Sequence, residues 1–239
     1  MRSHTVEREP SRASNPSQWI RLMMAYLPMP LVVLACGWDL RWWQGWAYSL
    51  LFATAGVGGH IWSERRYPGL LAERLGFRSA PGVKPWDRVL APLLGIGTSF
   101  LPAAIAGLDH RFGWSPTFPT LLNAFGLILA AAGYAFALWA ASENRFFASM
   151  VRIQLDRGHV VCESGPYRIV RHPGYAGLLL TLPGIVLALS SAWTGIPAAL
   201  ALLVILIRTA LEDRTLQDEL PGYRDYARRV RYRLVPWVY

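Results

Sequence analysis

Two groups of residues carry the chemistry this chain can do. Residues 163–177, ESGPYRIVRHPGYAG, place a cation, an imidazole, a rigid turn and a phenol together in Arg171-His172-Pro173-Gly174-Tyr175. Further on come Arg208, Glu212 and Asp213. Arg208 and Glu212 are four residues apart and share one helical face. Ionisable side chains at the ends of apolar helices are functional when they face the interior of a bundle. At the lipid interface they snorkel or form a structural ion pair. Residue types alone leave both readings open. Upstream, residues 144–159 (NRFFASMVRIQLDRGH) form an amphipathic stretch, and Val160-Val161-Cys162 reads as extended. Extended backbone exposes N–H and C=O groups that a purine or an amino-acid ligand can use. A plain connecting loop is the alternative.

The elements that must position these groups are apolar. The chain has 239 residues, 53% hydrophobic and only 16% charged, with a mean hydropathy of +0.26. A soluble domain carries about 25% charged residues. The apolar excess is gathered in six blocks, 19–36, 43–62, 90–108, 118–141, 175–189 and 193–207. The first four have the roughly 20 residues that a membrane span needs. The last two would be about 22 Å of helix, short of a hydrocarbon core of about 30 Å. Ser190-Ser191-Ala192 joins them, which predicts a short, tight helical hairpin. Residues 172–174 and 208–213 then complete its inner ends. The expected fold is an all-α, polytopic membrane helical bundle of about six spans. Residues 1–18 read as a flexible tail, 19–141 as four N-terminal spans, and 142–239 as the half that holds the polar clusters.

Charge sets the expected orientation. With the N-terminus inside, all of the 24 Lys and Arg except Arg41 and Arg111 fall in inside segments. That is a strong positive-inside pattern, and it places both termini and the RHPGY segment on the cytoplasmic face of a multi-pass protein. The net charge of +9 then follows from topology and from contact with anionic membrane lipids; no nucleic-acid partner is called for. Trp19, Trp42, Trp43, Trp62 and Trp193 sit at block edges, where amphipathic rings favour the headgroup level. Cys36 and Cys162 form neither a disulfide framework nor a metal motif. The N-terminus lacks the apolar core of a signal peptide. Tyr223, Tyr226, Tyr232, Trp237 and Tyr239 give the last stretch too much aromatic surface for a free tail, so it is expected to fold back over residues 142–174.

Gly165-Pro166-Tyr167-Arg168, then Arg171-His172-Pro173-Gly174-Tyr175-Ala176-Gly177, then Arg208-x-x-x-Glu212-Asp213 and a Tyr-rich tail resemble the isoprenylcysteine carboxyl methyltransferase family. That family is part of a wider group of integral-membrane methyltransferases that includes phospholipid N-methyltransferases. The resemblance covers mainly residues 142–239; the first half is similar only in being hydrophobic spans. It implies S-adenosylmethionine as cofactor, in a pocket facing the cytoplasm and covered by the C-terminal tail. It implies His159, Val160, Val161 and Cys162 along the adenosyl side, with Tyr167 beside the cofactor. His172, Pro173, Gly174 and Tyr175 would hold the other side, and Glu212 the amino-acid end. Arg208 would face the acceptor, Arg208 and Glu212 being the catalytic pair. Gln154 corresponds to the family's cofactor-contacting glutamine after a small shift in spacing.

The residue types fit those implied roles. Glu212 suits an ammonium, and His172 or Arg171 suits a carboxylate, through charge-assisted hydrogen bonds. Tyr167 and Tyr175 offer π faces to an adenine or a sulfonium methyl. A carboxylate acceptor is already nucleophilic and needs only a cation such as Arg208 to orient it. An amine or thiol must lose a proton, and Glu212 or His172 would then matter more. No residue stands out as a dedicated base, which favours the carboxylate of an isoprenylcysteine or similar prenylated compound. A phospholipid amine and a small thiol are the alternatives. Residues 232–239 (YRLVPWVY) also resemble the tail of membrane sterol reductases, but six blocks in 239 residues argue against that class. A non-enzymatic scaffold would leave the two clusters unrelated.

Overall fold

Asn15 opens the first helix with a reciprocal cap. Its side chain accepts from the N–H of Gln18, and the Gln18 side chain accepts from the N–H of Asn15. With Pro16 at the first helical position, this fixes a sharp start. The computed structural model describes residues 15–76 and 81–239. Residues 15–18, expected as tail, are the cap and first turn of α1 (Pro16–Tyr26). The rest of the expected tail, and part of the Ser79–Gly82 turn, lie outside the described residues.

α2 (Pro28–Gly37) continues α1 after Leu27. α3 (Trp43–Arg66) and the short α4 (Leu70–Leu75) follow. Next, α5 (Asp87–Gly95) passes through a widened π turn, Ile96–Phe100, into α6 (Leu101–Phe112). Pro102 has no N–H for the preceding turn, and a π turn absorbs such a defect. α7 (Thr120–Glu143) leads to a long irregular segment, and then come α8 (Pro173–Ala188), α9 (Gly195–Glu219) and α10 (Tyr223–Arg229). The described residues contain no strand.

Four segments are long and apolar enough to cross a membrane: Pro16–Gly37, Asp87–Phe112, Thr120–Glu143 and Gly195–Glu219. Their large side chains point outward: Leu121, Ile128, Leu203 and Ile207 are all exposed, as a face covered by lipid requires. Four such segments with lipid-type outer faces are the pattern of an integral membrane protein. Six spans were expected. α3 has the length, at 24 residues, but Gln44, Ser49, His60 and Ser63 dilute its apolar character. α8 has only 16 residues.

The expected short hairpin is also different in form. α9 runs 25 residues, well past its apolar part, so its arm is not short, and Arg208, Glu212 and Asp213 lie inside a continuous helix. The close partner of α8 is α7. A Cβ built on Gly133 would stand 2.4 Å from Thr181 Oγ1 and 2.6 Å from Gly177 O. One on Gly184 would stand 2.6 Å from Ala130 N, and one on Gly126 2.3 Å from Ala188 N. Small residues at these positions let the two backbones touch, which is how helices associate where lipid offers no hydrophobic drive. α7 and α8 are therefore locked in register, and their adjoining ends carry the polar clusters.

Candidate active site

A cavity of about 380 Å³ lies where the ends of α7, α8 and α9 meet the irregular segment 144–172. Pockets of this order hold small-molecule ligands. The irregular segment is held by α7 and α5. Glu143, the last residue of α7, accepts from Ser164 Oγ at 2.6 Å and pairs with Arg66 at 3.2 Å. Gly165 then turns with φ +56, and a Cβ there would be 2.9 Å from Glu143 Cγ, so only glycine fits. Asp87, at the start of α5, accepts from Val151 N at 2.6 Å.

Of the residues expected to form the site, His159, Val160, Val161, Cys162, Tyr167, His172, Pro173, Gly174, Tyr175, Arg208 and Glu212 all line this cavity. They come from the irregular segment, the N-terminus of α8 and the middle of α9. Among the described residues, the N–H groups of Val160, Val161 and Cys162 have no protein partner, so this stretch can give backbone hydrogen bonds to a ligand. Tyr175 OH donates to Glu212 Oε2 at 2.6 Å. The His172 and Tyr175 rings stack at 6.0 Å. Burial, reinforced by Arg152, Arg157 and Arg145, lowers the His159 pKa to about 4, so its ring is neutral. Burial also raises the Cys162 thiol and the Tyr167 phenol; both are uncharged at neutral pH.

Gln154 does not belong with them. It is buried outside the cavity wall, where its Nε2 donates to Phe146 O at 2.7 Å and its Oε1 accepts from Arg157 at 2.6 Å. Both ends of its amide are engaged in folding the segment, so the shift in spacing does not bring it to the site.

The charged groups are also arranged otherwise than their spacing implied. Arg208 forms no pair with Glu212. Its Nε and Nη2 grip Asp87 at 2.6 and 2.9 Å, Nη2 also donates to Ser149 O, and its guanidinium lies 5.4 Å from the Tyr175 ring centre. Arg171 cannot serve a ligand carboxylate. Its Nε and Nη2 hold Asp213 at 2.8 and 3.0 Å, and its Nη1 donates to the carbonyls of Val230 and Arg231. Asp213 is wholly buried and also accepts from Gln217, Tyr223 and Arg233, with His172 Nε2 at 3.3 Å. This knot ties the tail down. Arg171 N bonds Tyr232 O and His172 N bonds Arg233 O, each at 2.9 Å, while Tyr226 OH donates to Tyr167 O. Tyr223 and Tyr226 complete the wall, as the aromatic content of the tail led one to expect.

Sequence reasoning missed Asp87, which reads simply as an acidic residue in the first turn of an apolar helix. It named Asp213 but not its central position. It also missed the wall supplied by the first half of the chain: Tyr26, Gly56, Gly59, His60 and Arg74. Only an isolated arginine and histidine in sequence marked them. Among the described residues, no group of three or more His, Cys, Asp or Glu is placed to hold a metal ion.

No curated protein matches the chain. A family model described as phospholipid methyltransferase matches residues 121–220, the stretch from α7 to the end of α9 that supplies most of the wall just described. The match agrees with the resemblance carried by the RHPGY and RxxxED motifs. The family implies methyl transfer, with S-adenosylmethionine as donor. Over residues 121–220, then, the chain is similar to the phospholipid methyltransferase family.

Proposed function

We propose that this protein transfers a methyl group from S-adenosylmethionine to a lipid-like acceptor, the carboxylate of an isoprenylcysteine or similar prenylated compound, at the cytoplasmic membrane face. The observation that carries this reading is the convergence of eleven expected site residues on one cavity, although they come from separate stretches of the chain. The residues fit the donor. The unpartnered N–H groups of Val160–Cys162 would be available to acceptors of an adenosyl-type ligand, and Glu212 offers a carboxylate to an ammonium. Arg171 is excluded from the donor carboxylate by its bonds to Asp213, which leaves His172 and backbone N–H groups for that end. When bound, the donor supplies an electrophilic methyl on a sulfonium, and the protein's part is to position and desolvate. Tyr175, held by Glu212 and beside the Arg208 guanidinium, lines the cavity.

The positive-inside charge pattern supports the cytoplasmic orientation and the inward placement of both termini. A water-soluble donor then arrives from that side and a lipid acceptor laterally. The family match favours a second reading, in which the acceptor is a phospholipid amine.

Calorimetric titration of the detergent-solubilised protein with S-adenosylmethionine tests the donor. Binding is expected in the wild type, with at least a tenfold loss in Glu212→Gln. Unaltered binding in both Glu212→Gln and His172→Ala would remove the pocket assignment. Labelled methyl transfer to prenylcysteine and to phosphatidylethanolamine separates the two acceptors.

A further inference from the structure

The cavity has a second wall outside the matched segment, and that wall carries its own cation. Arg74 sits in α4 and lines the cavity beside Tyr26 and His60. Its Nε donates to Phe147 O at 3.3 Å and its Nη2 to Ala141 O at 2.9 Å. Among the described residues no carboxylate lies within ion-pair distance of it, and its Nη1 has no partner. Burial lowers its pKa to about 10, so it stays a cation at neutral pH. Two other arginines of the wall are paired: Arg171 is neutralised by Asp213 and Arg208 by Asp87, both wholly buried. Glu64 acts on this charge from a distance without pairing with it, and the guanidinium itself is bonded only to carbonyls, so its charge has no direct partner.

Its position relative to the expected donor site is also defined. The Arg74 guanidinium lies 5.7 Å from the centre of the Phe147 ring. The Cε2–Cζ side of that ring closes on Gly174, where a Cβ would be 2.8 Å from Cε2. Arg74 is thus one aromatic ring away from the RHPGY turn. Around it the wall is apolar, with Leu138 and Ala141 of α7.

We propose that Arg74 is the anchor for an oxyanion, a carboxylate or a phosphate diester, on the apolar-tailed acceptor. Building on the methyltransferase reading, this assigns acceptor recognition to α1, α3 and α4, and donor binding to the α7–α9 half. A planar guanidinium with a free edge binds either oxyanion in a fork geometry.

The test is equilibrium binding to the full chain in detergent with three probes: N-acetyl-S-farnesylcysteine, which carries a carboxylate, lysophosphatidylethanolamine, which carries a phosphate diester, and farnesol, which carries neither. The wild type should bind at least one anionic probe about tenfold or more tightly than farnesol, and the tighter anion identifies the source. Arg74→Gln should lose that preference and keep its farnesol affinity. Arg74→Lys, which keeps the charge and a donor to the carbonyls, should fall between the two and serves if the Gln variant does not fold. Anionic binding unchanged in both variants would overturn the assignment, as would an equal loss for all three probes. S-adenosylmethionine titration of the same samples separates the two ideas. Wild type that binds anionic probe through Arg74 but no donor would refute the methyltransferase reading and leave the anion site standing.

Discussion

Asp213→Asn is the perturbation whose size the structure predicts most directly. The carboxylate is wholly buried and accepts from Arg171 twice, from Arg233, from Gln217 and from Tyr223, with His172 beside it. The amide keeps one oxygen but turns an NH2 toward donors, so some of these contacts become donor against donor. It also leaves the Arg171 guanidinium, whose side chain is only 7% exposed, without a counter-charge. Removing one partner of a buried ion pair costs about 3–5 kcal/mol. Arg171 retains two carbonyl acceptors on Val230 and Arg231, so the lower end, about 3 kcal/mol, applies. At roughly 2–4 °C per kcal/mol for a chain of this size, the midpoint of thermal unfolding in detergent should fall by about 6–12 °C. The tail is tied to residues 171–172 through the same knot, so trypsin should cut at Arg231 and Arg233 sooner in the variant. A midpoint within 2 °C of wild type, with the tail equally protected, would refute the view that Asp213 holds the wall together.

Other outcomes follow from the same geometry. Gly133→Val should lower the thermal midpoint by several degrees, because its Cβ meets the backbone of α8 and overpacking costs about 1–3 kcal/mol; an unchanged midpoint would mean that α7 and α8 do not touch there. Asp87→Asn should loosen Arg208 and the 149–151 backbone together, weakening donor binding as well as stability, which titration and melting on one sample can read. His159 gives a pH signature. Its folded pKa is about 4 against about 6.5 unfolded, so between those values the unfolded chain binds the extra proton and stability falls as pH drops from about 6.5 toward 4. His159→Gln should therefore lose less thermal stability than wild type between pH 7.5 and 5; an equal or larger loss would contradict the buried, neutral imidazole.

How much of this was legible in the sequence depended on range. The start of α8 was legible because Pro173 suits the first helical position. The face shared by Arg208 and Glu212 followed from helical spacing. Their partners did not. Asp87 lies far from Arg208 in sequence, and nothing in the composition of α5 marks it as a counter-charge. The α7–α8 contact was present as small residues at Gly126, Ala130, Gly133, Gly177, Thr181 and Gly184, yet hydropathy weighs a glycine only weakly and says nothing of which helix it faces. The span count suffered likewise, since α3 mixes polar side chains into a span-length helix. Gln154 shows the converse error, in which a residue type suited to a ligand was already engaged by its own loop.

The glycine contact between α7 and α8 has one more consequence. It joins α7 and α8 into one rigid unit under the cavity, while Tyr26, His60 and Arg74 reach in from α1, α3 and α4. The two walls thus come from different stretches of chain, joined by contacts such as Arg66 with Glu143 and Arg74 with Ala141 O. On the proposed methyltransferase reading, exchanging residues 15–76 for those of a homologous membrane methyltransferase should change the acceptor preference while leaving donor binding unchanged.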